Sequence, residues 1–166
     1  MAKTWGVSFC WLLTGDGDGN KKEGPSHVVD IPLVGDAVAA GAPIVPYDQV
    51  ESTIPVPRKM LRSTDPGRLL AVRVAGDSME PVLRKGDIVV VDRSKCSLRE
   101  LRGKIVVARV DDGIVVKYLD FDPRAGHTHV SLASHNARKY HAIIRSAKEV
   151  EEAVVGKVVL VIGEIK

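Results

Sequence analysis

The chain has 166 residues, 45% of them hydrophobic and only 4% aromatic, so Val, Ile and Leu must build its core. That length suits one domain with an arm. The formal charge of +3 is mild, with −2 on residues 1–40 and +5 on the rest, short of the dense basic patch of a self-sufficient DNA reader. No apolar run approaches the roughly 18 residues of a membrane span, and residues 3–13 are too short and mixed for a signal peptide.

Residues 5–14 form a short apolar segment of helical character. Gly15-Asp16-Gly17-Asp18-Gly19-Asn20 then interrupts all regular structure. Residues 15–30 read as a linker, and residues 31–45 as an extended, movable segment lying on the main domain. From Ile54 the signals are strand-like. Ile54-Pro55-Val56-Pro57 reads as an edge piece, because proline cannot donate to a central ladder. Further strands are expected over 69–74, 88–92, 104–110, 114–119, 130–134, 143–145 and 154–165. Residues 78–83 form one or two helical turns, and 98–103 a connection. Asp111-Asp112-Gly113 between two apolar runs is a hairpin signal. The expected fold is mostly β, a curled and partly closed antiparallel sheet with short helical turns and an extended amino-terminal arm.

Two residues carry the candidate chemistry. Ser78 follows a Gly-Asp turn in Ala75-Gly76-Asp77-Ser78-Met79-Glu80-Pro81, and Lys117 lies 39 residues later in Ile114-Val115-Val116-Lys117-Tyr118-Leu119. A serine hydroxyl needs a base to become a nucleophile. Lysine serves when neutral, and burial lowers its pKa from about 10.4. Both faces of the expected 114–119 strand are apolar, so Lys117 has aliphatic neighbours whichever way it points. The amides of Ser78 and Met79 suit stabilisation of an oxyanion. A Ser–Lys pair needs no separate Asp or His. Taken alone, each half is ordinary: Gly-Asp-Ser is usually a turn, and a lysine in an apolar strand usually snorkels. Asp77 either orients the serine turn or only caps it.

The stretches AGDSMEPVLRKGDIVVVDRS (75–94), GKIVVARVDDGIVVKYL (103–119), SLASHN (131–136) and VVGKVVLVIGEI (154–165) resemble the carboxy-terminal domain of LexA, UmuD and the lambda-type phage repressors. These are self-cleaving Ser–Lys peptidases, and the similarity covers roughly residues 38–166. The resemblance implies a highly curved sheet, Ser78 as nucleophile and Lys117 as general base. It also implies self-cleavage at an Ala-Gly bond upstream. Val38-Ala39-Ala40-Gly41 fits, which places the cut between Ala40 and Gly41, where Gly41 removes side-chain obstruction beside the attacked carbonyl. An alternative is that Ala-Ala-Gly is only a flexible linker. The resemblance further implies homodimerisation through the carboxy-terminal domain, with residues 154–165 as the dimer element, and an activated RecA filament as the trigger after DNA damage. No cofactor is implied.

Trp5-Gly6-Val7-Ser8-Phe9-Cys10-Trp11-Leu12-Leu13-Thr14-Gly15 looks like the end of a phage-repressor helix-turn-helix domain. The organisation expected is therefore a remnant of that domain over 1–14, a linker over 15–37, a cleavage-site segment over 38–53 and the peptidase and dimerisation domain over 54–166. DNA would be bound only through helices absent from this chain. The leading reading is the self-cleaving domain of a repressor in the SOS response. The alternatives are a UmuD-like accessory of a translesion polymerase, a non-cleaving dimerisation module, or a membrane signal peptidase, which would need an anchor. His127, His129, His135 and His141 read as solvated side chains, with no metal expected. Cys10 and Cys96 lack framework spacing and read as reduced thiols of a cytoplasmic protein.

Overall fold

Among the described residues, runs rich in Val, Ile and Leu build nine strands that form one open sheet, in the order β2-β1-β3-β4-β9-β5-β6-β7-β8. The computed structural model describes residues 28–34, 50–61, 65–111, 113–124 and 129–163. The strands are β1 (Val28–Val34), β2 (Val50–Pro57), β3 (Leu69–Arg73), β4 (Ile88–Asp92), β5 (Ile105–Val110), β6 (Gly113–Asp120), β7 (His129–Ala133), β8 (Ile143–Ser146) and β9 (Val154–Ile162). The fold is mostly β, as expected, and the sheet is not closed. Its end strands are β2, whose Pro55 and Pro57 suit an edge, and β8.

β1 departs from the expectation. Residues 28–34 fall within the stretch assigned to the linker, yet they form a strand between β2 and β3. Val29, Ile31 and Leu33 are buried and alternate with Val28, Asp30 and Pro32. This period of two puts one apolar face on the core. β1 runs antiparallel to β2 and parallel to β3, so the sheet is not wholly antiparallel. The pairing with β3 starts at Leu33, just past Pro32, which has no N–H to give.

Among the described residues two α-helices accompany the sheet, Leu98–Leu101 and Ala147–Ala153. Each begins with a capping box, Ser97 with Glu100 and Ser146 with Glu149. The first falls in the expected connection. The second, with Val150 buried, was not anticipated, although Ser146-Ala147-Lys148-Glu149 carries the box in the sequence. β9 inserts between β4 and β5 and closes the central part of the sheet. Gly156 permits this crossing, since a Cβ there would collide with the main-chain carbonyl of Asp92.

Three apolar clusters fill the interior. Residues 74–87 leave the sheet after β3 and return as β4. Their base is pinned by Val74 N–H to the Asp87 carbonyl (2.8 Å) and Gly86 N–H to the Val74 carbonyl (2.8 Å). Met79 and Leu83 anchor the excursion in one cluster beside Val34, Val72 and Val89. Each fully buried side chain of this size stabilises the fold by about 1.5–3 kcal/mol. The Ser78 turn is thus held from below by packing.

Candidate active site

Within this excursion the main chain coils once. Glu80 N–H bonds the Asp77 carbonyl (3.1 Å) and Leu83 N–H the Met79 carbonyl (2.9 Å). The coil sends Met79 inward and leaves Ser78 half-buried beside the sheet. Among the described residues nothing accepts a hydrogen bond from the amides of Ser78 or Met79.

Lys117 arrives from β6. It shares a face with Val115 and Leu119, which belong to one apolar cluster, while Ile114, Val116 and Tyr118 pack on another. Its side chain is buried, at 6% exposure. Its Nζ donates to Ser78 Oγ at 2.6 Å and to Ser134 Oγ at 2.8 Å. Both acceptors are neutral hydroxyls, so no carboxylate in these bonds compensates a buried ammonium. Burial accordingly lowers the Lys117 pKa below the ordinary lysine value. A lysine that releases its proton more readily, in contact with a serine hydroxyl, can exchange a proton with that hydroxyl.

Ser134 was not identified from the sequence. β6 and β7 pair with Tyr118 opposite Ala133, and the same register extended by one residue sets Ser134 opposite Lys117. Ser134 is buried at 7% exposure, and its hydroxyl gives the amine a second acceptor besides Ser78.

The segment after β7 closes over the turn. Asn136 donates its main-chain N–H to the Ser78 carbonyl (3.0 Å). Lys139 Nζ bonds one oxygen of Asp77 at 2.6 Å, and the Tyr140 hydroxyl donates to the other. These hydrogen bonds, from Lys139 first and Tyr140 second, hold the Asp77 carboxyl down at about 2. The Tyr140 ring also faces Lys117, with Nζ 5.5 Å from its centroid. His135 packs on Tyr118, the ring centroids 5.9 Å apart.

The other sequence candidates lie elsewhere. Ala40, Gly41, Cys10 and His127 lie outside the described residues. The strands that flank residues 35–49 are described: Val34 closes β1 opposite Val50 of β2, and Val34 packs in the same cluster as Met79. Cys96 is a half-buried free thiol away from Ser78. Among the described residues no group of three or more His, Cys, Asp or Glu is placed to hold a metal ion. Among them, too, no helix is long and apolar enough to cross a membrane.

Comparison with known proteins gives consistent matches. Residues 32–159 match the family model described as Peptidase S24-like. The LexA repressor of Clavibacter sepedonicus is 37% identical over 157 residues, covering 92% of this chain and 62% of that protein. The LexA repressor of Finegoldia magna is 33% identical over 136 residues, covering 80% and 57%. That of Desulfatibacillum aliphaticivorans is 42% identical over 93 residues, covering 55% and 42%. The chain therefore spans less than two thirds of the length of these relatives.

Proposed function

Because the chain belongs to the peptidase S24-like family, we propose that it is the self-cleaving serine peptidase domain of a LexA-like or phage-type transcriptional repressor, which cuts its own Ala40–Gly41 bond. The observation that carries this reading is the 2.6 Å contact between a buried lysine amine and the Ser78 hydroxyl. Neutral Lys117 takes the Ser78 proton as Oγ attacks the carbonyl carbon of Ala40. The amides of Ser78 and Met79 receive the developing oxyanion. The Lys117 ammonium then returns the proton to the Gly41 nitrogen as the C–N bond breaks. Water, deprotonated by Lys117 in its turn, releases the acyl group from Ser78.

Val34 packs in the same cluster as Met79, and a chain of six residues from Val34 to Ala40 would span at most about 20 Å, which supports this reading. Attack within one chain is effectively unimolecular, so a modest catalyst suffices. By family analogy, a RecA filament formed after DNA damage favours the docked arm, and two copies pair through the carboxy-terminal region. β9 is hydrogen-bonded along both edges within its own chain, so such a dimer would use its half-exposed face. The names of the relatives favour the repressor over a polymerase accessory.

The test is incubation of the purified chain at pH about 7 and about 10, near the ordinary lysine pKa, followed by intact mass. Fragments 1–40 and 41–166 are expected, more at the higher pH, and absent in Ser78→Ala and Lys117→Ala. An intact chain at both pH values, also with activated RecA filament added, rejects the reading in favour of a non-cleaving module.

A further inference from the structure

Five contacts join residues 134–140 to the two reactive side chains and the turn between them. Ser134 holds Lys117, Asn136 holds the Ser78 carbonyl, and Lys139 and Tyr140 take one Asp77 oxygen each. The fifth is the Tyr140 ring over Lys117 Nζ. Tyr140 alone among these residues touches both halves of the site: Lys117 through its ring, and the serine turn through its hydroxyl and Asp77.

We propose that Tyr140 and Asp77 form a positioning pair, whose hydroxyl–carboxylate bond sets the Ser78 turn against Lys117. Asp77 directly precedes Ser78, so pinning its carboxylate fixes the backbone from which Oγ projects. With one bond on each oxygen, the carboxylate is tied from two sides. The two contributors are unequal. Lys139 is 60% exposed in its side chain, so water and salt screen its bond. Tyr140 is half-buried, and its rigid ring reaches Asp77 while facing Lys117. Neither Tyr140 nor Asp77 exchanges a proton with the reacting atoms in this scheme. They act through the Ser78–Lys117 distance. The inference rests on Ser78 being a nucleophile, not on the arm being its substrate.

The experiment therefore measures Ser78 reactivity without the arm's chemistry. Diisopropyl fluorophosphate is added to the full-length chain across pH, with intact-mass readout and Ser78→Ala as control. Oγ bonds phosphorus, fluoride leaves and Lys117 accepts the hydroxyl proton. Tyr140→Phe keeps the ring over Lys117 and deletes only the hydroxyl, and Asp77→Asn removes the carboxylate. Displacement of a reacting group by a fraction of an ångström to an ångström costs roughly tenfold to a hundredfold in rate. Labelling of both variants is expected to slow by that factor at every pH, with an unchanged pH midpoint in Tyr140→Phe. The double variant is expected to be no slower than the slower single one, because both act through one bond. Lys139→Ala is expected to stay within about twofold of wild type.

Equal labelling of wild type and Tyr140→Phe overturns the proposal, as does additive slowing in the double variant. Absence of labelling in wild type at every pH overturns it too. Labelling of wild type that slows in the variants, in a chain that never cuts itself, supports the positioning pair while rejecting self-cleavage.

Discussion

Lys117 enters the site as a buried residue of β6, whereas Asn136, Lys139 and Tyr140 enter on a loop that is mostly exposed. The strand side is fixed by packing: Leu119 below Lys117, and Met79 and Leu83 below Ser78, are each 1% exposed or less. The loop side is fixed by polar bonds to Asp77, Ser78 and Lys117. The difference teaches where each property of the site resides. Burial gives Lys117 its lowered pKa and cannot be altered without disturbing the core. Polar contacts set distances and can be altered one at a time.

The largest expected effect lies on the strand side. Lys117→Ala and Ser78→Ala each lower self-cleavage roughly a thousandfold or more, since members of one catalytic unit fail together. In wild type, cleavage is expected to rise with pH as Lys117 loses its proton. Its midpoint falls below the ordinary lysine value, because the folded pKa is lowered by burial. The same shift acts on stability. The unfolded chain holds the Lys117 proton more tightly, so stability rises with pH across the interval between the two values. A cleavage midpoint at or above 10.5 would place Lys117 in water and break the comparison.

The next prediction concerns what holds the products. A cut after Ala40 leaves β1 on one fragment and its partners β2 and β3 on the other. Val29, Ile31, Leu33 and Val34 remain buried, each contributing about 1.5–3 kcal/mol. Fragments 1–40 and 41–166 are expected to co-elute in native size exclusion and to separate in denaturant. Immediate separation without denaturant would mean that β1 adds little to the sheet.

β1 also shows why part of the fold was hidden in the sequence. Val29, Ile31 and Leu33 carry the strand period, but a linker boundary between residues 30 and 31 divides the pattern, and Pro32 argues against an interior strand. The pairing that rescues it, with β2 beyond residue 49 and β3 beyond residue 68, is not local. By contrast, 88–91 is a continuous apolar run between the Gly86-Asp87 turn and Asp92-Arg93, and the expected strand 88–92 coincides with β4. In the site, Ser78 and Lys117 were legible because a lysine amid aliphatic residues and a serine on a tight turn are chemically conspicuous. Ser134 in Leu132-Ala133-Ser134-His135-Asn136 is not. Only the β6–β7 register, with Tyr118 against Ala133, brings it opposite Lys117.

Ser134→Ala sits on the border between the two sides. It removes a hydroxyl that accepts from Lys117, so the ammonium loses support and the cleavage midpoint moves to lower pH. It also loosens the amine, which is neutral at the plateau, and loss of one neutral hydrogen bond of about 1 kcal/mol slows the plateau by about fivefold. A lowered plateau with a midpoint raised instead would indicate that water enters and solvates the amine. A smaller effect is expected in acid. Asp77 is held at about 2 by Lys139 and Tyr140, against 3.8 for its ordinary value. Its contribution to stability is complete above 3.8 and fades as pH falls through about 2. The gap in stability between wild type and Asp77→Asn should therefore narrow across that window. A gap independent of pH would mean that the carboxylate's charge is not what the loop recognises.

The smallest effect is expected at Asn136, because the bond to the Ser78 carbonyl comes from its main-chain N–H. Asn136→Ala keeps that donor. The Lys139 and Tyr140 amides close on the Asn136 carbonyl, again a main-chain group, so the loop's turn survives as well. Surface substitutions that touch no side-chain contact usually stay within about 0.5 kcal/mol, and labelling of Ser78 should match wild type within about twofold. The loop would then hold the serine turn in two separable ways. One is a backbone bond that tolerates almost any residue at 136. The other is a side-chain bond that requires a hydroxyl at 140 and a carboxylate at 77. A large loss in Asn136→Ala would merge the two, and would assign the Asn136 side chain a direct place in the site.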